Sequence, residues 1–194
     1  METERQCRRV LIVSGGEKIF QYISELLAGP EFMPPILAKS AAEAKRMLLV
    51  SPVDIMIVDA PLPDEFGIQF CLSVADMSMG IMMLVKAELA EKTAARVEQE
   101  GIITLAKPNS RQNLYSAIKM LSALSARLQK MEKKNRTLQD KMADIRAVNR
   151  AKWLLIEKLG MTESDAHYYI EKRAMDERIP RRELAENIIR SYDN

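Results

Sequence analysis

The sequence predicts an α/β fold at the front of the chain, a parallel five-stranded sheet with helices on both faces. A long coiled-coil helix and a small all-α three-helix module follow it. Three observations carry that reading. Short apolar runs alternate with amphipathic stretches up to residue 107, the rhythm of strand–helix–strand units. Beyond Arg111 apolar residues recur at heptad spacing, with no Gly or Pro before Gly160, which fits one long helix. After Gly160 two more helical patterns open, each with its own start signal.

The elements follow in order. Val10-Leu11-Ile12-Val13 is a continuous apolar run closed by Ser14-Gly15-Gly16, suited to a strand buried on both faces. Ile19, Tyr22, Ile23, Leu26 and Leu27 then fall at helical spacing and stop at Gly29-Pro30. A short strand is predicted at Ile36–Ala38, and an amphipathic helix at Ala41–Leu49 with Ser40 as its cap. Asp54–Val58, Ile81–Val85 and Ile102–Leu105 supply the remaining strands, with a charged helix at Ala87–Glu100 between the last two. In sheets of this kind the working site lies beyond the carboxyl ends of the strands.

In the long helix, Leu114, Leu121, Leu128 and Met142 occupy one heptad position, with Asn135 and Asn149 on the same series. Leu124, Met131, Leu138 and Ile145 lie three residues on. Such a seam predicts a coiled coil, and Asn at an a position favours parallel two-stranded pairing, hence a homodimer. The alternative is an amphipathic helix lying on its own domain. Gly160 suits the helix end, and Thr162-Glu163-Ser164-Asp165 has the form of a capping box opening the next helix. That helix has Ala166, Tyr169, Ile170 and Ala174 on its apolar face, with Met175 beside them. Tyr168 and Tyr169 cannot both face the core. Pro180 marks the first position of a third helix, with Leu184, Ala185, Ile188 and Ile189 inward.

Composition narrows the function. Two cysteines and one histidine among 194 residues are too few for a disulfide framework or a zinc site, so no metal and no cofactor are expected. No apolar run approaches membrane length, so no membrane partner is expected. The charged run Met1–Arg9 leads directly into a strand, which predicts no signal peptide and a reducing cytoplasm as the compartment. Nucleophile–base pairs, Gly-rich phosphate loops and metal clusters are lacking, so an enzyme is not expected. Residues 1–110 hold 11 Lys/Arg against 15 Asp/Glu, and residues 111–194 hold 18 against 12. The basic rear suits a polyanion. Within it residues 150–194 are neutral, with nine basic and nine acidic side chains, so the excess resides in residues 111–149.

The segment Asp54-Ile55-Met56-Ile57-Val58-Asp59-Ala60-Pro61-Leu62-Pro63, with Gly67 and then Lys107-Pro108, resembles the receiver domains of two-component systems over roughly residues 8–123. The resemblance implies a flavodoxin-like fold, Asp59 as phosphoacceptor, Lys107 as phosphoryl-binding partner, and a sensor kinase or another partner protein on the input side. Where a working receiver holds Mg²⁺ with an acidic pair, this chain has Ser14-Gly15, and hard divalent cations need several oxygen ligands. Glu17 is the nearest acid that could compensate. Val85 stands where the family has Ser or Thr. Asp59 and Lys107 are therefore expected as a salt-bridged pair, with phosphorylation by the usual Mg²⁺-dependent route impaired.

Ala151-Lys152-Trp153-Leu154-Leu155-Ile156-Glu157-Lys158-Leu159-Gly160-Met161-Thr162-Glu163, with Asp165-Ala166, Arg173-Ala174-Met175 and Glu183-Leu184-Ala185-Glu186, resembles the ANTAR domain, the RNA-binding output module of certain antiterminators. The match spans about residues 140–192, with Trp153 in place of the family's usual Gly. It implies a dimer that binds RNA hairpins in leader transcripts and prevents terminator formation. Candidate RNA-binding residues are Arg150, Lys152, Lys172, Arg173, Arg178, Arg181 and Arg182, with Trp153 and Tyr168 as stacking surfaces. The expected organisation is a receiver-like domain over 1–123, a dimerisation helix over 111–149 and an RNA-binding module over 150–194. Two other readings remain open: a DNA-binding helix-turn-helix regulator, and a protein-interaction module.

Overall fold

The computed structural model describes residues 7–192; the outermost ends of the expected first and last domains lie outside these. The chain divides into two compact units, residues 1–132 and 133–194. In the first, β1 (Val10–Val13), β2 (Ile36–Ala38), β3 (Ile55–Asp59), β4 (Gly80–Lys86) and β5 (Ile103–Lys107) form one sheet in the order β2-β1-β3-β4-β5. Every pairing is parallel. The helices are α1 (Glu17–Leu26), α2 (Ala41–Val50), α3 (Ile68–Ser73), α4 (Ala87–Val97, continued by a 3₁₀ turn at Glu98–Glu100) and the start of α5 (Arg111–Leu159).

Alternating strand residues feed two cores. Leu11, Val13, Met56, Val58, Met83 and Val85 face one side with Ala44, Phe70 and Val97. Val10, Ile12, Ile55, Ile57, Met82 and Leu84 face the other with Ile23, Leu27, Leu114, Ile118 and Leu121. Both faces of the inner strands are covered, which is why their sequences read as unbroken apolar runs. The first core also buries Cys71, whose thiol is pushed up to about 12 by burial and then by the Glu65 charge.

In the first unit three features differ from the sequence expectation. Helix α3 was not anticipated: six residues leave too little length for a helical period to show. Leu114 and Leu121, expected in the dimer seam, are instead buried in the sheet's second core. The opening turns of α5 thus follow the alternative reading, a helix lying on its own domain. Gly80 makes the seat for it, since a Cβ there would lie 3.0 Å from Leu121 Cδ2 and 3.1 Å from its carbonyl. The first unit also runs on to residue 132 rather than 123. Gln129 Nε2 donates to Asp54 Oδ1 at 2.8 Å, and Ser78 Oγ bonds the Glu132 carboxylate; both bonds tie later turns of α5 to this unit.

The second unit contains the end of α5, α6 (Glu163–Glu177) and α7 (Arg181–Tyr192). Ala151, Leu155, Ala166, Ile170, Ala174, Leu184, Ala185 and Ile188 form its core. Small alanines let the helices approach closely, and Tyr169 packs against this core while Tyr168 is exposed. Gly160 adopts φ +64 as α5 ends. Thr162 Oγ1 caps α6 by accepting from the Asp165 N–H at 3.1 Å. Helix α7 starts at Arg181, with the Pro180 carbonyl accepting from Leu184 N–H; Pro180 sits one position earlier than expected. Met175, expected beside the α6 face, is exposed.

Candidate functional site

The strand order reverses between β1 and β3, and their carboxyl ends carry Ser14 and Asp59. Lys107, at the end of β5, reaches across to them. Its Nζ donates to Asp59 Oδ1 at 2.5 Å and to the Ala60 carbonyl at 2.8 Å. The buried Ser14 hydroxyl lies 3.0 Å from the other oxygen, Asp59 Oδ2, and accepts from the Gly16 N–H at 3.0 Å. Both carboxylate oxygens of Asp59 therefore have protein partners.

A divalent cation does not fit this arrangement. Such ions take several oxygens, chiefly from carboxylates. Ser14 offers one neutral oxygen, already facing Asp59, and Gly15 offers no side chain. The space a side chain at 15 would need is filled, because its Cβ would lie 2.7 Å from Pro63 Cγ. Glu17 is exposed on α1 and pairs with Lys39 at 3.9 Å. Val85 is buried at the end of β4.

The loop carrying Pro63 is itself tied down. Asp64 Oδ1 and Oδ2 accept from the Ala41 and Ala42 N–H groups at 3.0 Å each, placing a carboxylate on the start of α2. Those bonds hold the Asp64 carboxyl below its usual range. Glu65 Oε1 accepts from Phe70 N–H at 2.9 Å, fastening the start of α3. Asp64 and Glu65 were not singled out in the sequence. Their signal was present but ambiguous, since acids in a loop cap helices only once the topology brings a helix start to them.

In the second unit the candidate RNA-binding residues occupy separate faces. Lys152, Arg181 and Arg182 line one cleft of about 330 Å³ with Asp144, Asn149 and His167. Tyr168, Lys172 and Arg173 line another, of about 420 Å³, with Met161, Tyr169 and Asp176. Lys172 Nζ stands 5.9 Å from the Tyr168 ring centre, and Arg173 5.7 Å from that of Tyr169. Trp153 is 72% exposed on α5, and Arg150, three residues earlier, is also exposed. Arg178 ends α6 in the left-handed region at φ 55.

Most of these cations are held by acids of the same unit. Lys152 Nζ meets Glu163 Oε1 at 2.6 Å, and that bond holds the Glu163 carboxyl below its usual range. Arg173 meets Glu177 at 2.7 Å and donates to Tyr169 Oη at 2.5 Å. Arg181 meets Glu171 at 2.7 Å. Arg182 binds Glu186 at 2.8 Å and Asp144 at 3.3 Å, and the Glu186 bond is the larger cause of its raised pKa. His167, 3.5 Å from Glu171, shares the cleft with Arg181 and Arg182; sequence reasoning did not place it there. Of the seam residues, Leu124, Leu128, Met131, Asn135, Leu138, Met142 and Ile145 are exposed.

Comparison with known proteins agrees with both units. The ANTAR domain family matches residues 136–189. The chain is 28% identical over 183 residues to the transcriptional regulatory protein PdtaR of Mycobacterium tuberculosis, covering 94% of this chain and 89% of that one. It is 28% identical over 93 residues to the aliphatic amidase regulator of Pseudomonas aeruginosa, covering 48% and 46%. Among solved structures, the signal receiver domain of an HD domain-containing protein from Pseudomonas fluorescens superposes with a TM-score of 0.59 at 24% identity. It covers 67% of this chain and 96% of that one. Among the described residues, no helix is long and apolar enough to cross a membrane.

Proposed function

We propose, for a chain that joins a receiver-fold domain to an ANTAR domain at residues 136–189, an RNA-binding regulator of transcription antitermination. It acts as a parallel homodimer in the cytoplasm and binds hairpins in leader transcripts. The observation that carries this reading is the cleft between α5, α6 and α7, which gathers Lys152, Arg181 and Arg182 on the ANTAR domain. Cations of this kind position phosphates, while the bases of a hairpin loop stack on exposed aromatic faces. Tyr168 and Trp153 supply such faces in this proposal.

The receiver-fold domain, in the same proposal, is not switched by Mg²⁺-dependent phosphorylation of Asp59. The support is the closed Ser14–Asp59–Lys107 set and the Pro63 ring over Gly15. Input then comes from a partner protein, or from the dimerisation equilibrium itself. Dimerisation runs through Leu124, Leu128, Met131, Asn135, Leu138, Met142 and Ile145 of α5, without Leu114 and Leu121.

A gel-shift with RNA hairpins, single-stranded RNA and duplex DNA tests the output. Preference for hairpins is the expected result. Preference for duplex DNA would replace this reading with a DNA-binding regulator, and binding to none of the three would leave a protein-interaction module.

A further inference from the structure

Among the described residues, Lys134, Lys141 and Arg146 of α5 are exposed and make no ion pair, unlike Lys152, Arg173, Arg181 and Arg182 in the same unit. The charge balance agrees: residues 150–194 are neutral, and residues 133–149 hold five basic side chains against two acidic ones. Phosphate binding by the module alone would have to displace its own acids. The turns of α5 just before the module require no such exchange.

The heptad gives these three residues defined places. With Asn135, Met142 and Asn149 at a, Lys134 and Lys141 stand at g, and Gln139 and Arg146 at e. In a parallel two-stranded coil each g residue faces the e residue five positions on in the other chain. One heptad earlier, Arg127 would meet Glu132, an attractive pair. Lys134 would meet only the neutral Gln139. Lys141 would meet Arg146, a like-charged pair that the two-fold axis repeats on the other flank. Like charges in that relationship oppose pairing. An anion lying between them reverses the sign.

Lys141 also leads toward the cleft. It lies three, four and seven residues before Asp144, Ile145 and Val148, all of which line the groove with Lys152, Arg181 and Arg182. Residues three and four apart share a helix face. A phosphate track along Lys134 and Lys141 would therefore continue into the cleft.

We propose that Lys134 and Lys141 of one chain, with Arg146 of a second copy, form two phosphate-binding rails along the paired α5 helices. RNA binding and dimerisation are then coupled. This rests on the dimeric RNA-binding reading above and adds which charges hold the RNA backbone. A bound phosphodiester backbone relieves the Lys141–Arg146 repulsion, so RNA tightens the dimer, and by reciprocity the dimer binds RNA more tightly than the monomer.

The test uses the full chain and a two-hairpin RNA, because phosphate contacts carry no sequence information. In wild type, RNA shifts sedimentation toward dimer at protein concentrations where the free chain dissociates. Lys141→Glu makes the g–e relationship attractive. The variant should dimerise more tightly without RNA yet bind RNA about tenfold or more weakly. Its logarithmic salt slope should be shallower by about two, one phosphate contact per chain. Lys141 is exposed, so circular dichroism should be unchanged. Unchanged RNA affinity and slope in Lys141→Glu, with binding lost in Arg182→Gln, would overturn the rails and leave the cleft reading intact. Wild-type protein that binds no RNA overturns both.

Discussion

Gly15 and Pro63 stand so close that a Cβ on residue 15 would meet the Pro63 ring at 2.7 Å. The β3–α3 loop therefore fills the place where a receiver's second metal-binding acid would project. That loop is anchored by Asp64 on the start of α2 and by Glu65 on the start of α3, so the ring has little room to retreat. Restoring an acid at this position alone should not create a metal site. Gly15→Asp is expected to destabilise the domain by about 1–3 kcal/mol through overpacking. It should leave Asp59 unlabelled by a small phosphodonor with Mg²⁺, checked by urea unfolding and intact mass. Stoichiometric labelling in the wild-type chain would remove the proposal that Asp59 is closed to phosphate.

The Asp64 clamp gives a pH dependence whose sign follows from its lowered pKa. A group with a depressed folded pKa adds stability above its unfolded value, near 3.9 for Asp. That stability is lost as pH falls through the lower folded value. Asp64→Asn should flatten the stability profile of the α/β unit below about pH 4 and leave it unchanged in shape near neutrality, read by denaturant midpoints across that range.

Two leucines of α5 should fail in different ways. Leu121 is fully buried in the sheet's second core, whereas Leu138 is 51% exposed. Leu121→Ala is expected to cost about 2–5 kcal/mol of domain stability. Leu138→Lys should leave thermal unfolding of the α/β unit unchanged and halve the mass seen by light scattering. A dimer surviving Leu138→Lys at low micromolar concentration would count against the seam.

The sheet was legible because each inner strand is buried on both faces and so reads as an unbroken apolar run, as in Ile55–Val58. The α6 cap was legible because Thr162 and Asp165 act within one turn. The heptad was legible as a pattern but not as a partner: Leu114 and Leu121 repeat in register with Leu128, yet they are buried in one core with Ile12 and Ile57 of the sheet. Periodicity reports that a face is apolar and is silent about what covers it. The same limit applies to Lys152, Arg181 and Arg182, whose counter-ions Glu163, Glu171 and Glu186 were visible as acids but not as neighbours. Pro63 over Gly15 had no local signal.

Arg178 occupies the left-handed region at φ 55, where a side chain costs backbone free energy that glycine does not. Arg178→Gly is expected to hold or raise the thermal stability of the helical unit, by up to about 1 kcal/mol. If Arg178 also contacts RNA, as the sequence resemblance implies, the same variant should bind hairpins more weakly while melting no earlier. Stability and affinity moving apart in that way would separate its backbone role from its charge.

The two cysteines give the α/β unit an internal gauge of opening. Cys7 is exposed, while Cys71 is sealed within the first core with its thiol pushed up to about 12. A maleimide at neutral pH should therefore modify one thiol per chain quickly and the second only through transient openings of the sheet. The slow phase then times those openings in the native protein, without denaturant. Any RNA, partner or variant that tightens or loosens this domain would register as a change in that single rate.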